Sequence, residues 1–167
     1  MVGRLIYILA IWCVFAWLFS TMAYCQDNVR SELANLVVAA QDLYARATII
    51  IDQSPKTEAD VDRIFISMGN QWQVDEHAFQ KSFSPFVNMP NLPDDVQEGV
   101  IRIGQFDNFI FDAVGAAYIC HNADAHWTLK IAGEILAHAK MASDGHPDSD
   151  WDPNLDSAPE DHAECRN

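Results

Sequence analysis

Three polar side chains have the types and spacing to do chemistry together: Asp107, Glu134 and His138. Asp107 interrupts an apolar stripe made by Val96, Val100, Ile103, Ile110, Val114 and Tyr118. At about 100° per residue it falls within about 20° of the middle of that face, as does His121. A carboxylate there needs a partner to offset the cost of burial. If the chain turns at residues 122–123, antiparallel helices bring residues to one level when their numbers sum to about 245, which pairs Asp107 with His138. Glu134 then sits one turn before His138 on the same side of its helix.

Meeting across that hairpin, the trio has three conceivable roles. It could be a charge cluster that fixes the register of two helices, a divalent-metal site inside a bundle, or a carboxylate orienting an imidazole for acid/base work. The charge cluster is the expectation. Bundle di-iron sites place Glu and His three apart on each of two helices, whereas here the spacing is four and occurs once. For acid/base chemistry the sequence identifies no nucleophile and no oxyanion donors. It also lacks H-E-x-x-H, G-x-S-x-G and C-x-x-C-H, so no motif names a reaction or a covalent haem. His121 and His126 flank the expected turn at a poor spacing for one helical face, and His121 reads as a buried or capping histidine. A haem between His121 and Met68 is the remote alternative.

A second run could hold a cation. Asp148, Asp150, Asp152, Asn154 and Asp156 place an oxygen-bearing side chain at every second position, which resembles the start of an EF-hand calcium loop. The resemblance covers nine residues and departs at Pro153, where glycine would make the sharp turn, and at the twelfth position, where no glutamate stands. A solvated acidic tail or partner-binding arm is the competing reading.

The elements that must position these residues are helical. Val29, Leu33, Leu36, Val37, Ala40, Leu43, Tyr44, Ala47 and Ile51 step by threes and fours, predicting a helix over about 29–51. Thr57 with Asp60 three residues on predicts an N-cap, and Gly69 a C-terminal cap, for a shorter helix. Residues 74–83 add a turn or two. Pro85, Pro90 and Pro93 mark 84–93 as a loop. Pro93-Asp94-Asp95 opens what reads as the longest helix, to His121, and Asp124 starts the last, which Gly145 and Pro147 end. No segment alternates as a half-buried strand would. The expected fold is all-α, an up-and-down bundle of four to five helices over 26–143, followed by an irregular acidic tail over 144–167.

Residues 1–25 read as an address. Arg4 precedes an apolar run from Leu5 to Phe19 and an exit of small residues, as in an export signal, which predicts a periplasmic or extracellular protein. If the leader stays uncut, residues 5–24 are about long enough to anchor the chain in a membrane, leaving a tethered subunit. Cutting after Cys25 leaves Cys120 and Cys165, an even count that suits a disulfide closing a loop of about 45 residues and contributing roughly 4 kcal/mol. Past the leader, 9 Lys/Arg stand against 24 Asp/Glu, a formal charge of −15. That excludes nucleic acid as an expected ligand and favours cationic partners. The expectation is therefore a binding protein, with no cofactor required, for a protein of basic surface in the same compartment: an inhibitor, an immunity-type protein or an accessory subunit of an envelope complex. Trp72, Trp151 and the Phe83–Phe86 stretch are its candidate contact aromatics. A metal- or cofactor-binding bundle using Asp107, Glu134 and His138 is the alternative.

Overall fold

A computed structural model describes the backbone of residues 2–155 and Cys165, with side chains from Asp27 onward. The side chains of the leader and Asp156 of the calcium-like run lie outside the described residues. Helix α1 is Val2–Ile51, α2 is Glu58–Ile64, and a π-helical turn, Phe65–Gly69, leads into α3, Asn70–Val87. Helix α4 is Asp94–Tyr118 and α5 is Asn122–Ser143. The described residues contain no strand, and the all-α expectation holds. Residues 1–32 form one compact unit and 33–167 a second, which holds the packed helices.

Local chemistry explains most boundaries. Thr57 caps α2 by accepting from the Asp60 amide at 3.1 Å, while Asp60 accepts in return from the Thr57 hydroxyl and the Lys56 amide. These bonds hold the Asp60 carboxyl below its usual range. At the end of α5, Gly145 takes a positive φ of 83° and the His146 amide reaches back to the Met141 carbonyl, a close that only glycine adopts without strain. Cys120 takes the same role after α4 with φ 62°, and its disulfide with Cys165 fixes the tail there.

Three sequence expectations are corrected. Gly69 is not a cap: its φ of −67° is helical, and the chain runs through it by widening into the π turn. Its missing Cβ makes room for the Phe65 ring, whose Cδ1 would lie 3.0 Å from one. Helix α3 also continues through Pro85 to Val87, so Phe83 to Phe86 is helical where a loop was expected. A proline in the last turn costs one hydrogen bond without breaking the helix in two. The longest helix is α1 rather than α4, because the helix of 29–51 continues back to Val2.

Helices α4 and α5 pack closely against each other along their length. Gly99, Ala113 and Ala117 on α4 and Ala125, Ala132, Ala139 and Ala142 on α5 are buried, and side chains this small let two backbones approach closely. A Cβ on Gly99 would meet Leu33 at 2.7 Å and the Ala142 methyl at 3.5 Å. The buried face of α1, Leu33, Leu36, Val37, Ala40, Leu43, Ala47, Ile50 and Ile51, follows the stripe read from the sequence. Gly133 gives way to it by passing within 2.8 Å of the Tyr44 hydroxyl, measured from where a Cβ would stand. Replacing Gly99 by Leu should destabilise the protein by about 1–3 kcal/mol through overpacking, despite better helix propensity. Urea unfolding checks this, with a lowered midpoint at unchanged slope as the expected outcome.

Candidate functional site

The trio of Asp107, Glu134 and His138 is distributed among different neighbours. Asp107 Oδ2 accepts from the Gln80 amide of α3 at 3.3 Å, and its Oδ1 is buried without a partner. Glu134 faces Lys130 at 3.8 Å near the surface. His138 stacks on Trp151 with ring centroids 3.8 Å apart, and its Nδ1 lies 3.8 Å from the Asp148 carboxylate. His121 sits 3.6 Å from Asp124 at the start of α5, and His126 lies 3.4 Å from the Ser54 hydroxyl. In the tail, Asp148 turns to His138, and Asp150, Asp152 and Asn154 are exposed. Among the described residues no three His, Cys, Asp or Glu side chains gather to hold a metal ion.

Two physical reasons separate the trio. The hairpin closes at 119–121, so facing residues sum to about 241, as Gly99 and Ala142 do, and Asp107 is level with Glu134, one turn short of His138. The face also differs. Counting Gly99, Phe106, Ala113 and Ala117 with the aliphatic residues moves the centre of the buried arc of α4 to about 60° from Asp107. The carboxylate therefore sits on the flank that looks toward α3.

His138 belongs instead to a latch on the tail. The buried Arg102 donates through Nε to Glu98 at 2.7 Å, through Nη1 to Gln105 at 3.1 Å, and through Nη2 to the Trp151 carbonyl at 2.7 Å. Its guanidinium carbon is 5.1 Å from the centre of the Trp151 ring, which lies stacked on His138. The sequence reading missed Arg102, whose signal was the Glu98–Arg102 pair one turn apart. Trp151 is thereby occupied, Trp72 and Phe86 are buried, and Phe83 packs over Gly104. Among the described residues, the aromatic rings most open to contact are instead Phe111 and Tyr118 on α4, 56% and 55% exposed.

Those two rings border a cleft of about 210 Å³ between α3 and α4. Facing residues on these antiparallel helices have numbers summing to about 187: Gly104 receives Phe83, and Asp107 meets Gln80. At the same register Trp72 looks toward Gly115, which has nothing within 4 Å of where a Cβ would stand. The absent side chain is the cleft's open volume. Phe65 of the π turn, edge-on to Tyr118 at 4.9 Å, closes one end, and Glu76 lines the other. Beyond Glu76, the Gln80 amide donates to Glu76 at 2.6 Å and to Asp107 at 3.3 Å, tying the two acids together. Burial pushes the Asp107 carboxyl up, with the Gln80 bond opposing; burial first, then the Asp107 charge, pushes Glu76 up, with His77 opposing. The stripe Asp107, Phe111, Gly115, Tyr118, stepping by four, four and three, was legible in the sequence but went unread.

A carboxyl whose pKa is higher folded than unfolded binds its proton more tightly in the native state, so stability is lost as pH rises from the ordinary carboxylate range through the raised value. Asp107→Asn should therefore raise the thermal midpoint at pH 7, and the gain should vanish below the ordinary carboxylate range, where the wild-type group is neutral in both states. Calorimetry at the two pH values checks it. The chain matches no protein-family model, no curated protein and no solved structure.

Proposed function

We propose that this is an exported protein that acts by binding a partner protein of basic surface, as an inhibitor, an immunity-type protein or an accessory subunit of an envelope complex. The observation that carries this reading is what becomes of its few cations. Arg46 pairs with Asp75, Arg63 with Asp60, Arg102 with Glu98, Lys130 with Glu134 and Lys140 with Asp144. Each pair cancels one acid, and the acids outnumber the cations: Asp42, Asp52, Asp62, Asp94, Asp112, Asp150 and Asp152 are all exposed. A surface of one sign raises the encounter rate with an oppositely charged protein and repels like-charged ones. The Cys120–Cys165 bridge and the leader both suit an oxidising compartment outside the cytoplasm.

Affinity capture from the native envelope fraction tests the reading. The captured partner should be basic, and its retention should fall steeply as salt rises from about 0.05 to 0.5 M, where the Debye length shrinks below about 5 Å. Intact mass of the same material without reductant should show a shortened N-terminus and the two-hydrogen deficit of one disulfide. Capture that is indifferent to salt, or of acidic proteins alone, contradicts the proposal.

A further inference from the structure

We propose that the cleft between α3 and α4 is the anchor point for one cationic side chain of the partner, best an arginine, with its aliphatic stem on Phe111 and Tyr118 and its guanidinium reaching Glu76 and Asp107. This deepens the binding reading and rests on it. Three observations converge on that occupant.

The first is size. At about 210 Å³ the cleft lies below the roughly 300–1,000 Å³ typical of small-molecule and cofactor sites, so it fits one inserted side chain better than a cofactor. The second is charge. The residues lining it include Glu76 and no lysine or arginine, and Asp107 follows immediately through Gln80. A larger cleft, about 250 Å³ between α1 and α3, is lined by Asp42 and by Arg46 and Asp75 paired at 2.8 Å, so it already holds a cation of its own. The third is an unmet bond. Asp107 lies just beyond the lining, tied to Glu76 through Gln80, and its buried Oδ1 has no donor, an unsatisfied acceptor that an N–H arriving at Glu76 relieves by displacing the Gln80 amide. The raised pKa directions of both acids agree with an end of the cleft that lacks a cation.

The geometry suits arginine. Two carboxylates bridged by one amide offer separate acceptors to a forked donor. The exposed rings of Phe111 and Tyr118 give the methylene stem an apolar bed and the cation a π face. Phe65 stops the far end, so the head is directed toward the acids. A single desolvated cation held between aromatic walls has the character of an interface hot spot.

The test uses N-acetyl-arginine amide, with the isosteric neutral N-acetyl-citrulline amide as control, titrated into the full chain and followed by NMR at the Gly115 amide and the Trp72 indole. Wild-type protein should show saturable shifts at both, with citrulline binding at least about tenfold more weakly. Gly115→Leu fills the open space with a good helix former, so it should weaken the arginine probe at least about tenfold while its thermal midpoint stays at or above that of wild type. Equal binding of citrulline, unaltered binding by Gly115→Leu, or shifts spread over the acidic surface would overturn the proposal. Envelope capture with both chains distinguishes a failed anchor from a failed binding function. If Gly115→Leu captures the basic partner as well as wild type does, the cleft is not the anchor and the binding reading stands; if wild type captures no basic protein, the binding reading itself falls.

Discussion

The close approach of α4 and α5 is the constraint on which the rest of this fold depends. Gly99, Ala113 and Ala117 on one helix and Ala125, Ala132, Ala139 and Ala142 on the other spend no volume between the backbones, so the pair packs tightly and α1 lays Leu33 against it. That choice of inner face dictates what the outer flank of α4 must carry. Asp107, Phe111, Gly115 and Tyr118 are rotated toward α3, which stands off on the large rings of Trp72, Phe79 and Phe83. At Gly104 the Phe83 ring fills the space a side chain would take, but at Gly115, level with Trp72, a gap stays open. The cleft is thus the geometric remainder of packing small against small on one side and large against glycine on the other.

The same hairpin organises the tail. Arg102, buried beside Glu98, takes the Trp151 carbonyl and ring, and Cys120 at the hairpin's turn takes Cys165. A buried guanidinium is tolerable only when its donors are satisfied, and here a carboxylate, a side-chain amide and a backbone carbonyl do so. An acidic run that composition alone reads as a loose arm is tied at two points to α4 and its turn. Electrostatically, five of the described cations lie in ion pairs with the chain's own acids while other carboxylates face outward, and Asp107 beside the cleft keeps a buried oxygen without a donor.

Much of the fold was legible in the sequence for reasons that are local. The α1 stripe, the Thr57 cap, the Gly145 close and the Cys120–Cys165 pairing each follow from residue type and short spacing or from cysteine parity. Gly69 and Pro85 misled because a helix can absorb either when tertiary packing holds it: Phe65 fills the space over Gly69, and Phe86 is buried just beyond Pro85. The site was legible only in part. Asp107 stood out as a carboxylate in a stripe, but its partner was misassigned, because apolar weighting undercounts Gly99, Ala113 and Ala117, which define the inner face. Gln80 carries no signal of its own in a sequence read one helix at a time, and the Glu98–Arg102 spacing signals an ion pair but not the tail it holds. Their roles come from register between helices, and a shift of about four in the α4–α5 sum is one helical turn.

The placement of Asp107 against α3 beside Glu76 is the claim from which the cleft's chemistry follows, and side-chain carboxyl 13C shifts measured across pH in the full chain test it most directly. Midpoints above the ordinary carboxylate range are expected for both groups, with that of Glu76 moving down when Asp107 is replaced by Asn. An ordinary midpoint for Asp107, together with a Glu76 titration indifferent to its replacement, would contradict it.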